Sequence, residues 1–144
     1  MNHHRAIGVD LLRVAGRARR VLDREATARI ASFLASRTTP EGGFCGRGAA
    51  ADLYYTLFGT LAGQVVGAPP DRRRLTGFLA PQRPAGLDLP HLAALIQCQR
   101  LAHRFGLPRR WRDEAALALS AFRAADGGFG TQASAAPGTA YGLY

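Results

Sequence analysis

Imidazole, thiol and carboxylate side chains are the groups that bind metals, carry protons or attack electrophilic carbon, so their spacing is read first. His91, Cys98 and His103 fall on one predicted helix, running from Leu89 to Phe105. Cys98 shares a face with His91, yet the two stand roughly 10 Å apart along the axis at the rise of an α-helix. One ion cannot bridge that gap. His103 is turned well away from both, and His3 and His4 lie in the N-terminal tail, so no metal is assigned. The adjacent acids Asp113 and Glu114 fall where a helix begins and suit the positive end of its dipole. Asp52, directly before the apolar run Leu53 to Val66, is placed to accept the free backbone N–H groups of a first turn. Cys45 and Cys98 are too few for a disulfide framework and read as small apolar fillers in a reducing compartment.

The elements that must position these residues are helical. Sustained apolar and polar alternation with β-branched residues is absent, which leaves little strand signal. Residues 1–24 carry Ile7, Leu11, Leu12, Val14, Val21 and Leu22 among arginines and form an amphipathic helix or cap, broken near Gly16. A helix from Arg24 to Ser36 follows, with Ala28, Ile30, Ala31, Phe33 and Leu34 inward. Next come Leu53 to Val66, stopped by Gly67 and Pro69; a short helix from Asp71 to Leu79; the helix from Leu89, stopped by Gly106 and Pro108; and Arg110 to Ala124. Pro137 to Tyr144 opens a further helix.

These helices repeat. Phe33, Phe78 and Phe122 recur about every 44 residues, each closing an apolar helical run before a glycine or proline turn. Pro40-Glu41-Gly42-Gly43-Phe44 follows the first and Asp126-Gly127-Gly128-Phe129-Gly130 the third, each leading into another helix, while the middle copy keeps the length and loses the Gly-Gly-Phe. One hairpin of about 40 residues cannot bury its own apolar face, so stacked hairpins complete one another's cores. The repeat domain spans 25–144.

The chain has 144 residues, 47% hydrophobic, which suits one globular domain. Its 19 basic residues are all arginine against ten acids, a formal charge of +9. Arg72-Arg73-Arg74 and Arg109, Arg110 and Arg112 are the places where anions would meet it, but no recognition motif or interleaved aromatics accompany them, and a nucleic-acid reading is set aside. Apolar stretches are too short and interrupted to cross a bilayer, and Met1 to Asp10 is too polar for a secretory signal, so a cytoplasmic protein is expected.

At Gly42-Gly43-Phe44-Cys45-Gly46-Arg47 and Asp52-Leu53-Tyr54-Tyr55-Thr56-Leu57-Phe58-Gly59 the chain resembles the prenyltransferase and terpene cyclase superfamily, and most closely the β subunits of protein prenyltransferases of the geranylgeranyl type. The resemblance covers roughly Ile30 to Tyr144. It implies an all-α fold of helical hairpins forming a partial α-α toroid, with the helix after each Gly-Gly-Phe turn lining the inside and an isoprenoid chain lying on its aromatic residues. On that basis Tyr54, Tyr55, Phe58, His91, Leu92, Gln99 and Tyr141 are cavity candidates; neighbouring tyrosines cannot both face one interface, so Tyr54 or Tyr55 leads. Arg47, Arg100 and Arg104 could supply positive charge for a diphosphate.

The departures are specific. Family zinc chemistry needs an aspartate, a cysteine two positions later and a distant histidine; Asp52 fits the first, but Tyr54 and Tyr55 stand where a cysteine and a histidine belong, so the zinc site is not intact. The Asp-rich acid motif of the cyclases is missing too, and no catalytic residue is named. Family members close the ring with about six hairpins, and this chain offers about half. The expectation is an isoprenoid-binding half-ring or transferase fragment, completed by a second copy or a partner subunit; the alternative is a non-catalytic helical-repeat interaction module.

Overall fold

The computed structural model describes residues 16–17, 20–103, 106–132 and 138. Arg104 and Tyr141, the helix opening expected at 137–144 and most of the expected N-terminal helix lie outside them. The described residues are mostly helical, as in an all-α protein, with one pair of two-residue strands among them. Helix α1 is Arg24–Arg37, strands β1 and β2 are Phe44–Cys45 and Ala51–Asp52, and helices α2 to α5 are Leu53–Val66, Arg72–Leu79, Leu89–Ala102 and Arg109–Ser120. No helix among the described residues is long and apolar enough to cross a membrane.

One device starts four of the helices. Asp23, Asp52, Asp71 and Asp88 each accept a backbone N–H of the first turn, from Ala26, Tyr55, Arg74 and His91 at 2.6, 3.1, 2.8 and 2.9 Å. Each cap contributes about 1 kcal/mol to its helix. α2 stops where Gly67 takes φ 76, letting its N–H and that of Ala68 close back onto Gln64 and Gly63.

The two Gly-Gly-Phe turns are built alike. Gly42 donates to Thr39 and Thr39 to Gly43, while Gly127 donates to Ala124 and Ala124 to Gly128. Thr38 bridges Phe44 as Arg123 bridges Phe129. Gly42 and Gly127 both have positive φ, 97 and 85. The first turn is the more enclosed: a Cβ on Gly42 would overlap the Arg74 backbone, and one on Gly59 the ring of Phe44. β1 and β2 belong to this turn, pairing Phe44 with Asp52 and Cys45 with Ala51.

Three small apolar clusters share the helices. Leu75 and Leu79 of α3 pack with Leu53 of α2 and with Ala94, Leu95, Cys98 and Ala102 of α4. Leu34, Phe44 and Val66 form a second, and Leu89, Leu92 and Phe122 a third. Polar ties run alongside: the Arg72 guanidinium donates to the Ala102 carbonyl at 2.7 Å and the Gln99 amide to the Leu79 carbonyl at 3.3 Å. Leu92 and Gln99, expected in a cavity, are therefore buried core groups.

Three other expectations need correction. Phe33 is 57% exposed and Ala28 is exposed, because Ile30, Ala31 and Leu34 present the face that meets Phe44 and Val66. The Arg37 guanidinium covers the Phe33 ring instead, at 5.4 Å. α5 starts at Arg109, so Asp113 and Glu114 fall in its second turn and pair with Arg109 and Arg110 at 3.8 and 3.1 Å. Finally α4 ends at Ala102 with His103 as its C-cap, before the glycine expected to stop it.

Candidate functional site

The N-terminal ends of α2 and α4 lie side by side, and the capping aspartates bring three titratable groups together there. Asp52 and Asp88 each use Oδ1 as the helix cap. Asp52 Oδ2 then meets His91 Nε2 at 2.9 Å, and Asp88 Oδ1 meets His91 Nδ1 at 2.6 Å. Two ionised carboxylates can only accept, so an imidazole bonded to both must donate from both nitrogens, which it does only as imidazolium. The Asp88 hydrogen bond holds the His91 pKa above 6.5, opposed by desolvation and aided by Asp52. The backbone N–H of His91 in turn lowers the Asp88 pKa, helped by the imidazole against desolvation.

This arrangement does not fit the zinc site that the resemblance implies. Zinc binds the lone pair of an imidazole nitrogen, and here both nitrogens of His91 are taken up in hydrogen bonds to carboxylates. Cys98 is fully buried in the apolar core, where desolvation pushes its thiol up to about 12, far from the thiolate a metal takes. Among the described residues no three His, Cys, Asp or Glu side chains are placed to hold an ion.

Beside the clamp, α2 and α4 wall a groove of about 530 Å³. Tyr54, Leu57 and Phe58 form one side, and Pro90, Ala93, Ile96, Gln97 and Arg100 the other. Leu119 of α5 and Phe129 of the second Gly-Gly-Phe turn complete it. The Tyr54 and Phe58 rings, one helical turn apart, sit edge to face with centroids 4.8 Å apart. Ala93 and Ala94 on α4 leave space opposite the larger side chains of α2. What results is an apolar trough with polar groups, Gln97 and Arg100, at one end of its α4 wall.

The adjacent tyrosine rings meet edge to face, with centroids 6.0 Å apart, but have different further neighbours. Tyr54 lines the groove, whereas Tyr55 lies against Gly46, where an added Cβ would overlap its ring. Phe58 and Arg100 are in the groove wall; His91 is turned to its two carboxylates, and Arg47 is exposed on the β1–β2 loop, outside the groove lining. Sequence reasoning did not join Asp52 to His91 and did not place Ala93, Gln97, Leu119 or Phe129. The stripe Ala93, Gln97, Arg100, at helical spacing on α4, was the available signal.

Comparison with the sequence models of known families, with curated proteins and with solved structures gives no match for this chain.

Proposed function

We propose that this chain is a helical-hairpin module of the prenyltransferase-like α-α toroid type that binds an apolar chain, of isoprenoid class, in the groove between α2 and α4. The observation that carries the reading is the groove itself: aromatic rings of Tyr54, Phe58 and Phe129 around small alanines, with a single cation, Arg100, in its lining. The matched build of the two Gly-Gly-Phe turns supports a repeat array, in which each hairpin relies on its neighbours. No catalytic step is assigned, because His91 is held by carboxylates and the donor set does not fit zinc. Transfer chemistry belongs to a second chain that completes the ring, either another copy or a different subunit.

Thermal unfolding with and without geranylgeranyl diphosphate tests the reading. A ligand at about 100 times its Kd adds roughly 2.7 kcal/mol of stability, an unmistakable rise in Tm. Absence of any shift, for the diphosphate and for geranylgeraniol alike, overturns it. The competing reading is an interaction module, favoured by the exposure of Tyr54, Tyr55 and Phe58 at 37, 48 and 50%. That reading predicts no chain binding and a concentration-dependent rise in mass that the double substitution Tyr55→Ser, Phe58→Ser abolishes.

A further inference from the structure

Phe33 stands outside the three apolar clusters, more than half exposed, with the Arg37 guanidinium over its ring. Together with Ala26, Arg29 and Ile30 it lines a hollow of about 320 Å³ on α1. Ala26, Ile30 and Phe33 stand at i, i+4 and i+7, so their side chains form one apolar stripe along the helix. The other apolar side of α1 already has its neighbours, since Ile30, Ala31 and Leu34 meet Phe44 and Val66. A helix that is apolar on two sides needs a partner on each.

The chain's own first residues fit that second side. Gly16 and Arg17 are helical, Arg20 donates its backbone N–H to the Arg17 carbonyl at 3.0 Å, and Asp23 caps α1. Residues 18–23 alone connect the two helical stretches, and connections that short join antiparallel neighbours. Upstream, Ile7, Leu11 and Val14 repeat the spacing i, i+4 and i+7. We infer that residues 7–14, which lie outside the described ones, dock as an antiparallel helix on the stripe of Ala26, Ile30 and Phe33, whatever ligand the groove takes. Both stripes run for about 10 Å of helix axis. They are also in register: Val14 and Ala26, Leu11 and Ile30, and Ile7 and Phe33 are each placed symmetrically about Arg20, to within one residue. Asp10 comes level with the Arg29 that lines the hollow, opposite to it in charge. A second copy offering its own α1 would set two chains of formal charge +9 together, with Arg29 of each at the contact; the tethered segment meets no such cost and acts at high effective concentration. Docked, it caps the first hairpin of the array. Arg13 and Arg17, one turn apart and off the stripe, give that cap the polar outer face a terminal repeat needs.

Nuclear Overhauser contacts in the full wild-type chain test the seat directly. Expected are contacts from the Ile7 methyls to the Phe33 ring and from the Val14 methyls to the Ala26 methyl. Their absence overturns the inference, whatever any variant does. Isotope-filtered spectra of mixed labelled and unlabelled chains separate the two sources of such contacts: signals between different molecules put a second copy on the stripe and overturn the intramolecular seat. Hydrogen exchange supplies the second readout, because a lone helix this short is marginal in water and its protection requires a neighbour. Amides 8–15 should exchange at least tenfold more slowly than in an unstructured chain. Phe33→Ser should remove that protection while α1 keeps its own, and Leu12→Ser, a change beside the stripe and not on it, should leave protection in place. Protection that survives Phe33→Ser, or that Leu12→Ser abolishes equally, means that the segment does not use this face and overturns the register.

Discussion

His91 couples the stability of the fold to pH, and the sign of that coupling follows from its two neighbours. Its pKa is raised, chiefly by Asp88, so the stabilisation it gives is complete below the unfolded value of 6.5 and is lost as pH rises through the folded one. The Asp88 pKa is lowered, chiefly by the His91 backbone N–H, so its share is present above 3.8 and is lost as pH falls through the depressed folded value. Stability should therefore peak between these limits and decline on the alkaline side. Because the imidazole and the Asp52 carboxylate are about one-third exposed, each ion pair contributes only about 0.5–1 kcal/mol. His91→Gln should flatten the decline of Tm between pH 6 and 9; an unchanged slope would show that the clamp does not titrate in that range. Asp52→Asn separates two duties of one side chain, since asparagine still caps α2 but carries no charge for His91. It should lose less stability than Asp52→Ala at pH 6, and lose none relative to wild type at pH 9, as read from urea midpoints. At the same scale, Tyr54→Ala should weaken chain binding roughly tenfold by removing about 1–2 kcal/mol of apolar contact, while Tyr55→Ala spares binding because its ring lies on Gly46. Equal losses in calorimetry would contradict that division.

The turns and helices were the most legible part of the sequence, because their signals are local. Asp52 before its apolar run gave the start of α2 and Gly67 its end, whereas the capping roles of Asp71 and Asp88 came only with the structure. What the chain did not announce was which side of a helix finds a neighbour: Phe33 continues the apolar spacing of α1 yet faces outward. The Asp52–His91 contact was equally hidden, since it joins residues 39 apart through the packing of α2 on α4. Between the two Gly-Gly-Phe turns the sequence gives no ranking, but the surroundings do. Both Gly42 and Gly127 have left-handed φ, so alanine costs about 1 kcal/mol of backbone strain at either. At Gly127 there is open space beyond that, whereas at Gly42 the new methyl meets the backbone of Arg74 and must displace α3. Gly42→Ala should thus cost several kcal/mol, in the range of overpacked cores, against about 1 kcal/mol for Gly127→Ala. Similar urea midpoints for the two variants would mean that the first turn can move away from α3 freely.

At the scale of the molecule, the question is whether three small clusters make one cooperative unit. α4 belongs to two of them, through Leu95 and Cys98 on the α3 side and Leu89 and Leu92 on the α5 side. α2 joins the remaining pair through Leu53 at its start and Val66 at its end. Neither α2 nor α4 can detach without exposing the cores of two clusters, so these shared helices should couple all three into a single unfolding step. Leu95 is the place to probe this, being fully buried at the centre of α4. Leu95→Ala should destabilise the chain by about 2–5 kcal/mol, the usual cost of truncating a buried leucine to leave a cavity. Two probes sample different regions: far-UV circular dichroism reads all the helices, and Trp111 fluorescence reads the junction of α5 with the α3–α4 cluster. If the helices are coupled as their packing indicates, both signals should give the same urea midpoint in the wild type and shift together in Leu95→Ala. A fluorescence midpoint that moves while the helical signal stays behind would mean that α1 and its cluster around Phe44 fold independently, as a separate hairpin and not as part of one array.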